Sequence, residues 1–179
     1  MALRLKIRRA TLRDAAALTA FNRAMALETE RKMLLPRVIG AGVRGLLRQP
    51  DSGFYLVAEV GRVVIAALMV TKEWSDWRNG DFWWIQSVYV EPAHRRRGVY
   101  RRLYRHLRAL AARKRAVCGF RLYVEKDNRR AQRTYRASGM RRTHYLVYEQ
   151  LKPGVRFFTP APRQGRGPAK RSRRSRAGI

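Results

Sequence analysis

Polar and apolar positions alternate from the start of the chain. Leu3, Leu5 and Ile7 are separated by Arg4, Lys6 and Arg8, the period of a half-buried strand. Thr11 offers an N-cap with Asp14 three residues on, a capping box with Asp in place of Glu, and Leu18, Phe21 and Met25 follow at helical spacing. A second helix is predicted from about 36 to 49, with Val38, Val43, Leu46 and Leu47 turned inward and Pro36 in its first turn. Asp51-Ser52-Gly53 reads as a turn, and residues 54–60, the Gly61-Arg62 connection and residues 63–74 as a hairpin. Asn79-Gly80 is a further hairpin signal. It leads into a strand at 82–90 that is apolar on both faces except at Gln86 and Ser87, as suits a central strand covered by helices on both sides.

From 98 to about 116 the pattern is helical, with Val99, Leu103, Leu107 and Leu110 forming an apolar stripe beside an arginine-rich face. A short strand is predicted at 120–124. A helix follows at 128–138, with Ala131, Thr134, Tyr135 and Ser138 on one side and Gly139 as its C-terminal residue. Residues 143–148 read as a final strand. The order β-α-α-β-β-β-α-β-α-β predicts an α/β fold, a mixed central sheet with helices on both faces. One domain over 1–150 is expected. Residues 151–179, rich in Pro, Gly, Arg and Ser, are expected to form a basic, disordered tail.

Composition sharpens this picture. An apolar fraction of 46% supports a real core. The formal net charge of +29 attracts nucleic acid, anionic surfaces and polyphosphate ligands alike. It is uneven: residues 91–150 carry 18 Lys+Arg against 4 Asp+Glu, and residues 151–179 carry 9 against 0. Cys118 is the single cysteine, which excludes an internal disulfide and fits a reducing, cytoplasmic setting. It is read as a small buried apolar residue. The first ten residues are too charged for the apolar core of a signal peptide, and the longest apolar run, 63–70, is too short to span a bilayer, so no membrane is expected. His94, His106 and His144 are widely spaced and show no metal-ligand pattern.

The densest chemistry lies in the stretch 88–100, VYVEPAHRRRGVY. A strand ends, a proline turn follows, and a basic run reaches Gly98 as a helix opens. Glycine lets a bulky anion approach the backbone, and the free N–H groups and dipole of a helix N-terminus favour negative charge there. The segment is a phosphate cradle in outline. Read without a family, Arg95–Arg97 is equally a solvated basic turn.

Arg95-Arg96-Arg97-Gly98-Val99-Tyr100, with Asn128-Arg129-Arg130-Ala131, Tyr135 and Gly139-Met140 further on, resembles the GNAT superfamily of acyl-CoA-dependent N-acetyltransferases over roughly residues 3–148. The first run is similar to the family's Gln/Arg-x-x-Gly-x-Gly/Ala pyrophosphate loop, with Tyr100 departing from the usual Gly or Ala. The resemblance implies acetyl-CoA as cosubstrate, its pyrophosphate held by Arg95, Arg96, Arg97, Gly98, Val99 and Tyr100. It implies pantetheine amides bonded to the backbone of Val88 and Val90 as an added strand, and Asn128 as a cofactor-side contact as well as an N-cap. Tyr135 is then the candidate general acid for the leaving thiolate; by spacing alone it is a packed aromatic.

Relatives often carry a glutamate on the strand equivalent to 82–90, and here there is none. Glu28 and Glu30 are the nearest substitutes by position and are equally read as surface carboxylates; Gln86 and Ser87 are alternative polar groups toward substrate. Trp74, Trp77, Trp83 and Trp84 are read mostly as core or hairpin packing, with one or two lining an acceptor cleft. The expected activity is N-acetyl transfer to an amine of a small molecule or peptide by direct attack in a ternary complex. The alternative is a basic nucleic-acid- or ribosome-associated module on the same fold, motivated by the tail and by Arg101, Arg102, Arg105 and Arg108. A homodimer is compatible with the resemblance.

Overall fold

The computed structural model describes residues 4–162. Its elements run β1 (Lys6–Arg9), α1 (Ala15–Glu30), β2 (Lys32–Leu34), α2 (Pro36–Arg48), β3 (Gly53–Val60), β4 (Val63–Ser75), β5 (Gly80–Val90), α3 (Val99–Ala112), β6 (Val117–Arg121), α4 (Arg129–Ala137) and β7 (Phe158–Pro160). Strands β1, β3, β4, β5 and β6 lie in that order in one sheet, and β2 and β7 form a separate two-stranded ribbon. The pairs β1·β3, β3·β4 and β4·β5 are antiparallel, and β5·β6 is parallel. The expected mixed sheet with helices on both faces is the observed one.

Alternation along β3 divides the core. Tyr55 and Val57 face one side, where Ala15, Leu18 and Phe21 of α1 and Val43 of α2 pack on them. Phe54, Leu56 and Ala58 face the other, against Val99, Leu103, Tyr104 and Leu107 of α3. β3 and β4 contribute the deepest part of both layers, with Leu56, Val57, Ala58, Ala66, Leu68 and Val70 wholly inaccessible, so the two strands read as near-continuous apolar runs. Beside this core, Arg8 donates from Nη1 and Nη2 to both oxygens of buried Asp14 (2.8 and 2.9 Å) and from Nε to Glu59 (2.9 Å). Asp14 also accepts from the Thr11 N–H at 2.7 Å, which is the predicted capping interaction. The guanidinium bonds first, and then the Thr11 amide, hold the Asp14 carboxyl below its ordinary value against the opposing effect of burial.

Several expectations are corrected. Val38 lies on the outer face of α2 and is exposed, whereas Val43 is buried. Cys118 is exposed rather than buried: it lies on the edge strand β6, at the register shift where Val117 faces Asp81 and Gly119 faces Phe82. Of the four tryptophans only Trp83 is buried; Trp74 and Trp77 stand out at the β4–β5 tip, 61% and 84% exposed. The short strand near 120 begins earlier, at Val117. Residues 143–148 are not a strand: the segment has no ladder partner and takes an irregular course. After 150, where no structure was expected, β7 pairs with β2 through Lys32↔Pro160, Met33↔Thr159 and Leu34↔Phe158. The rest of the predicted tail, 163–179, lies outside the described residues. Among the described residues no helix is long and apolar enough to cross a membrane.

Candidate functional site

The sheet opens where β5 passes β6. Their pairing ends at Trp84↔Arg121, yet β5 continues to Val90. At the same point β5 carries a bulge against β4: Met69 faces Ser87 and Val70 faces Ile85, leaving Gln86 as the extra residue. A bulge bends its strand and re-aims side chains. Gln86 uses this position to bridge the opening, donating from Nε2 to Thr71 Oγ1 (2.8 Å) and accepting at Oε1 from the Tyr123 hydroxyl (2.6 Å). Arg121 at the end of β6 is tied to Glu73 of β4 and lies 3.9 Å over the Phe82 ring. Both anchors fix β6 where the two strands part.

Beyond that point, among the described residues, no strand pairs with the second edge of β5. Glu91 N donates to Ile65 O of β4 (2.9 Å), so Glu91 faces β4. Backbone groups alternate sides along a strand. Val90 and, two residues back, Val88 thus direct their N–H and C=O groups away from β4, into the opening, where the Val90 carbonyl already accepts from Arg95 Nε. Their side chains pack on the α3 side of the core, as core valines do.

That edge runs straight into the basic loop. A 3-10 turn at Pro92–His94 is followed by left-handed residues at Arg96 (φ 63°) and Gly98 (φ 75°), and α3 starts at Val99. The first helical hydrogen bond is Arg102 N to Gly98 O at 3.1 Å. The N–H groups of Val99, Tyr100 and Arg101 hence have no partner within the helix. No acidic residue occupies the first turn, and Arg96 and Arg97 are exposed beside it. Backbone donors, a positive helix end and two free guanidiniums converge on one anion-sized place. A Cβ at Gly98 would meet only Arg101 Nη2, 3.9 Å away, so the space over the turn is open. Tyr100 turns its ring inward, stacked on Tyr104 (5.9 Å) and edge-on to Tyr135 (5.8 Å), and leaves its backbone N–H at the helix end.

The structure treats the predicted site residues unequally. Tyr135 is brought beside the α3 N-terminus by the Tyr100 contact; burial pushes its phenol up from 10.0, and its hydroxyl has no hydrogen-bond partner among the described residues. It is held protonated and uncommitted. Glu28 also arrives at the end of β5: it receives Arg95 Nη2 at 2.7 Å and the Tyr89 hydroxyl at 3.3 Å. Glu30 does not join that group; it pairs with Lys32 at 2.6 Å. Arg95 differs from its neighbours in the run. Rather than standing free with Arg96 and Arg97, it folds back, donating from Nε to Val90 O (2.8 Å), and covers the Tyr89 ring at 5.4 Å. Asn128 caps α4 by accepting from Ala131 N at 3.0 Å.

Two participants were not singled out from sequence. Tyr89 lies between Val88 and Val90, so period-2 alternation puts it on the opposite face, toward α1, where its ring meets Phe21 at 5.0 Å. Tyr123 follows β6 and tilts against Trp84 at 5.9 Å; no local pattern marks it. The Trp84 indole N–H is buried without a partner, a donor left over beside the opening.

The comparisons bear on this arrangement. A sequence model of the Acetyltransferase (GNAT) family matches residues 18–140. Among curated proteins none matches the chain. Among solved structures, a possible acetyltransferase from Clostridium difficile 630 is 40% identical, with 83% of this chain and 97% of that one covered and a TM-score of 0.78. An aminoglycoside N-acetyltransferase, AAC(6')-Iy, in complex with CoA is 14% identical over 83% and 95% of the two chains, TM-score 0.69. A ribosomal-protein-alanine N-acetyltransferase from Brucella melitensis biovar Abortus 2308 is 17% identical over 83% and 99%, TM-score 0.64.

Proposed function

The chain belongs to the GNAT family of acetyltransferases, and from that premise we propose that it transfers an acetyl group from acetyl-CoA to a primary amine, by direct attack in a ternary complex. The observation that carries this reading is the continuous path from the free edge of β5 to the open N-terminus of α3. Its residues fit the cosubstrate's chemistry. The amide-lined edge at Val88 and Val90 matches a chain of secondary amides, which adds to a sheet as a strand does. The N–H groups of Val99, Tyr100 and Arg101, with Gly98 and the guanidiniums of Arg96 and Arg97, match a diphosphate. Acetyl-CoA, when bound, supplies an acyl group activated as a thioester.

The chain's own part is orientation and proton transfer. Tyr135 keeps a proton on its hydroxyl through burial and donates it toward the departing sulfur. Glu28, fixed beside the end of β5 by Tyr89 and Arg95, takes the proton released by the amine. Glu30, engaged with Lys32, is left out of this step. Asn128 serves the site through the start of α4, which sets Tyr135 in place. Two of the three named solved neighbours are N-acetyltransferases, which supports an amine as acceptor. Incubation with radiolabelled acetyl-CoA and a panel of small-molecule and peptide amines tests the reading: label must pass to at least one amine, and its transfer to none would overturn it.

A second reading, a nucleic-acid- or ribosome-binding role on the same fold, draws on Arg101, Arg105 and Arg108, all exposed along one side of α3. It requires RNA binding that weakens steeply with salt and persists when acetyl-CoA saturates the site.

A further inference from the structure

One guanidinium engages both groups that the reaction at β5 calls on. Arg95 Nε donates to the Val90 carbonyl at 2.8 Å, and its Nη2 to Glu28 Oε2 at 2.7 Å. The first partner lies on the β5 edge that fits the pantetheine amides. The second is the carboxylate that fits the base. The other Glu28 oxygen accepts from the Tyr89 hydroxyl at 3.3 Å, so both carboxylate oxygens are already hydrogen-bonded. The guanidinium also covers the Tyr89 ring at 5.4 Å. The Arg95 and Glu28 side chains are 32% and 41% accessible, which leaves the pair open to exchange with a ligand.

A contact of this kind holds without being permanent. Part-exposed ion pairs contribute little, whereas a guanidinium meets a phosphate through charge-assisted, two-pronged bonds. Arg95 stands three residues before Gly98, so a diphosphate at the α3 N-terminus adds anionic oxygens beside the turn that carries it. A pantetheine N–H on Val90 competes for the same carbonyl. Cosubstrate thus pulls at both ends of the Arg95 contact. Tyr89 does not follow the guanidinium. Its ring packs on Phe21 at 5.0 Å. Burial, and then the Glu28 charge, hold its phenol above the ordinary value, so it stays a donor. Tyr89 keeps Glu28 at the end of β5 once Arg95 departs.

We propose that Arg95 is a latch on Glu28: it engages the carboxylate in the free protein and releases it when acyl-CoA lies along β5 and reaches the turn. The base then meets an incoming ammonium only when the thioester is in place. This rests on the acetyl-transfer reading above and adds a coupling to it. Couplings of this kind are reciprocal. If the cosubstrate must break the Arg95–Glu28 contact, that contact holds its affinity down, and removing the Glu28 charge must raise it. A residue serving only as base would leave cosubstrate binding as it is.

Isothermal titration calorimetry with CoA, which carries no acyl group to transfer, reads this coupling without an acceptor. Glu28→Gln must bind CoA about two- to fivefold more tightly than wild type, the range of a part-exposed ion pair. Glu30→Gln removes the same charge two residues on, from a carboxylate paired with Lys32, and must keep the wild-type affinity. In an Arg95→Met background Glu28→Gln must have no further effect. A second measurement needs no variant. Carbon-13 NMR of the Glu28 side-chain carboxyl in the wild-type protein must show a shift at saturating CoA, as the guanidinium leaves. Four results overturn the latch and leave the acetyl-transfer reading standing: wild-type CoA affinity in Glu28→Gln, an equal gain in Glu30→Gln, a gain that survives Arg95→Met, or a Glu28 carboxyl signal unmoved by bound CoA. A wild-type protein that binds no CoA overturns both.

Discussion

Gly98 is the residue on which the anion site turns, and its substitution separates binding from folding. Its φ is +75°, and an added Cβ would meet only Arg101 Nη2 at 3.9 Å. The cost of Gly98→Ala is therefore backbone strain without a clash, about 1–2 kcal/mol for a left-handed non-glycine residue. In a chain of this size that lowers Tm by about 2–8 °C, at about 2–4 °C per kcal/mol. Gly98→Glu carries the same strain, partly offset by about 0.3–1 kcal/mol from a carboxylate at the positive end of α3. Without ligand it is thus no less stable than Gly98→Ala. With acetyl-CoA the order separates. At a concentration of a hundred times Kd the wild-type protein gains about 2.7 kcal/mol, or about 5–11 °C. A carboxylate standing where a diphosphate should sit costs affinity; a hundredfold loss leaves about 0.4 kcal/mol, roughly 1 °C. Differential scanning fluorimetry of the three proteins with and without acetyl-CoA reads all of these quantities. A full wild-type rise in Gly98→Glu would refute the placement of the anion at α3, and a ligand-free drop well beyond 8 °C would refute the strain argument.

Other substitutions test the remaining roles. Tyr135→Phe should lower kcat by about 10²-fold or more and leave acetyl-CoA affinity near wild type; since burial raises the Tyr135 phenol, wild-type kcat should show no loss from this group on the alkaline side up to pH 10, the ordinary phenol value, and an earlier fall that disappears in Tyr135→Phe would contradict its environment. Glu28→Gln should cut kcat by about 10²–10⁴-fold while Glu30→Gln stays close to wild type, and the reverse order in steady-state assays would move the base to Glu30. Arg8→Ala strips the buried Asp14 carboxylate of its guanidinium, an expected loss of about 2–3 kcal/mol by urea denaturation at pH 7, less than for a fully buried pair because Arg8 is partly exposed. Asp14 titrates below its ordinary value of 3.8 in the folded protein, so its contribution is fully present above that pH and drains away as pH falls toward the depressed value. Arg8→Ala should therefore unfold with a flatter acid limb than wild type, and parallel acid limbs would exclude the network as the cause.

The elements that form from local pattern were readable, and those that form from distant meetings were not. Residues 54–74 carry runs of apolar and β-branched positions around Gly61-Arg62, and β3 and β4 follow from them almost to the residue. Val99, Leu103 and Leu107 recur at helical spacing and are indeed buried in α3. The turn at Arg96 to Gly98 was legible as the start of a helix, and α3 does begin at Val99; its reading as an anion site came from the family resemblance and not from the spacing. By contrast β2 and β7 are three residues each and lie more than a hundred positions apart, too short to show a period and too far apart for a turn signal. The run 143–148 shows the reverse problem. Its pattern specifies a strand, but a strand also needs a neighbour, and among the described residues it has none.

The site divides along the same line. The backbone donors of Val99 and Tyr100 follow from where a helix starts. The recruitment of Glu28 follows from Arg95 reaching across 67 positions, which no periodicity records. The bulge at Gln86 is similar. Only the register of β4 against β5 reveals that this residue is the extra one, and that it bridges Thr71 and Tyr123 where the sheet opens.

The central claim is that an acyl-CoA lies along the free edge of β5 with its diphosphate on α3. Hydrogen–deuterium exchange read at single-amide resolution by NMR, with and without acetyl-CoA, tests it most directly. Slowed exchange must cluster at Val88, Val90 and Val99 to Arg101, with the far edge strand β1 unchanged. Protection that falls elsewhere, or none at saturating acetyl-CoA, would contradict the account.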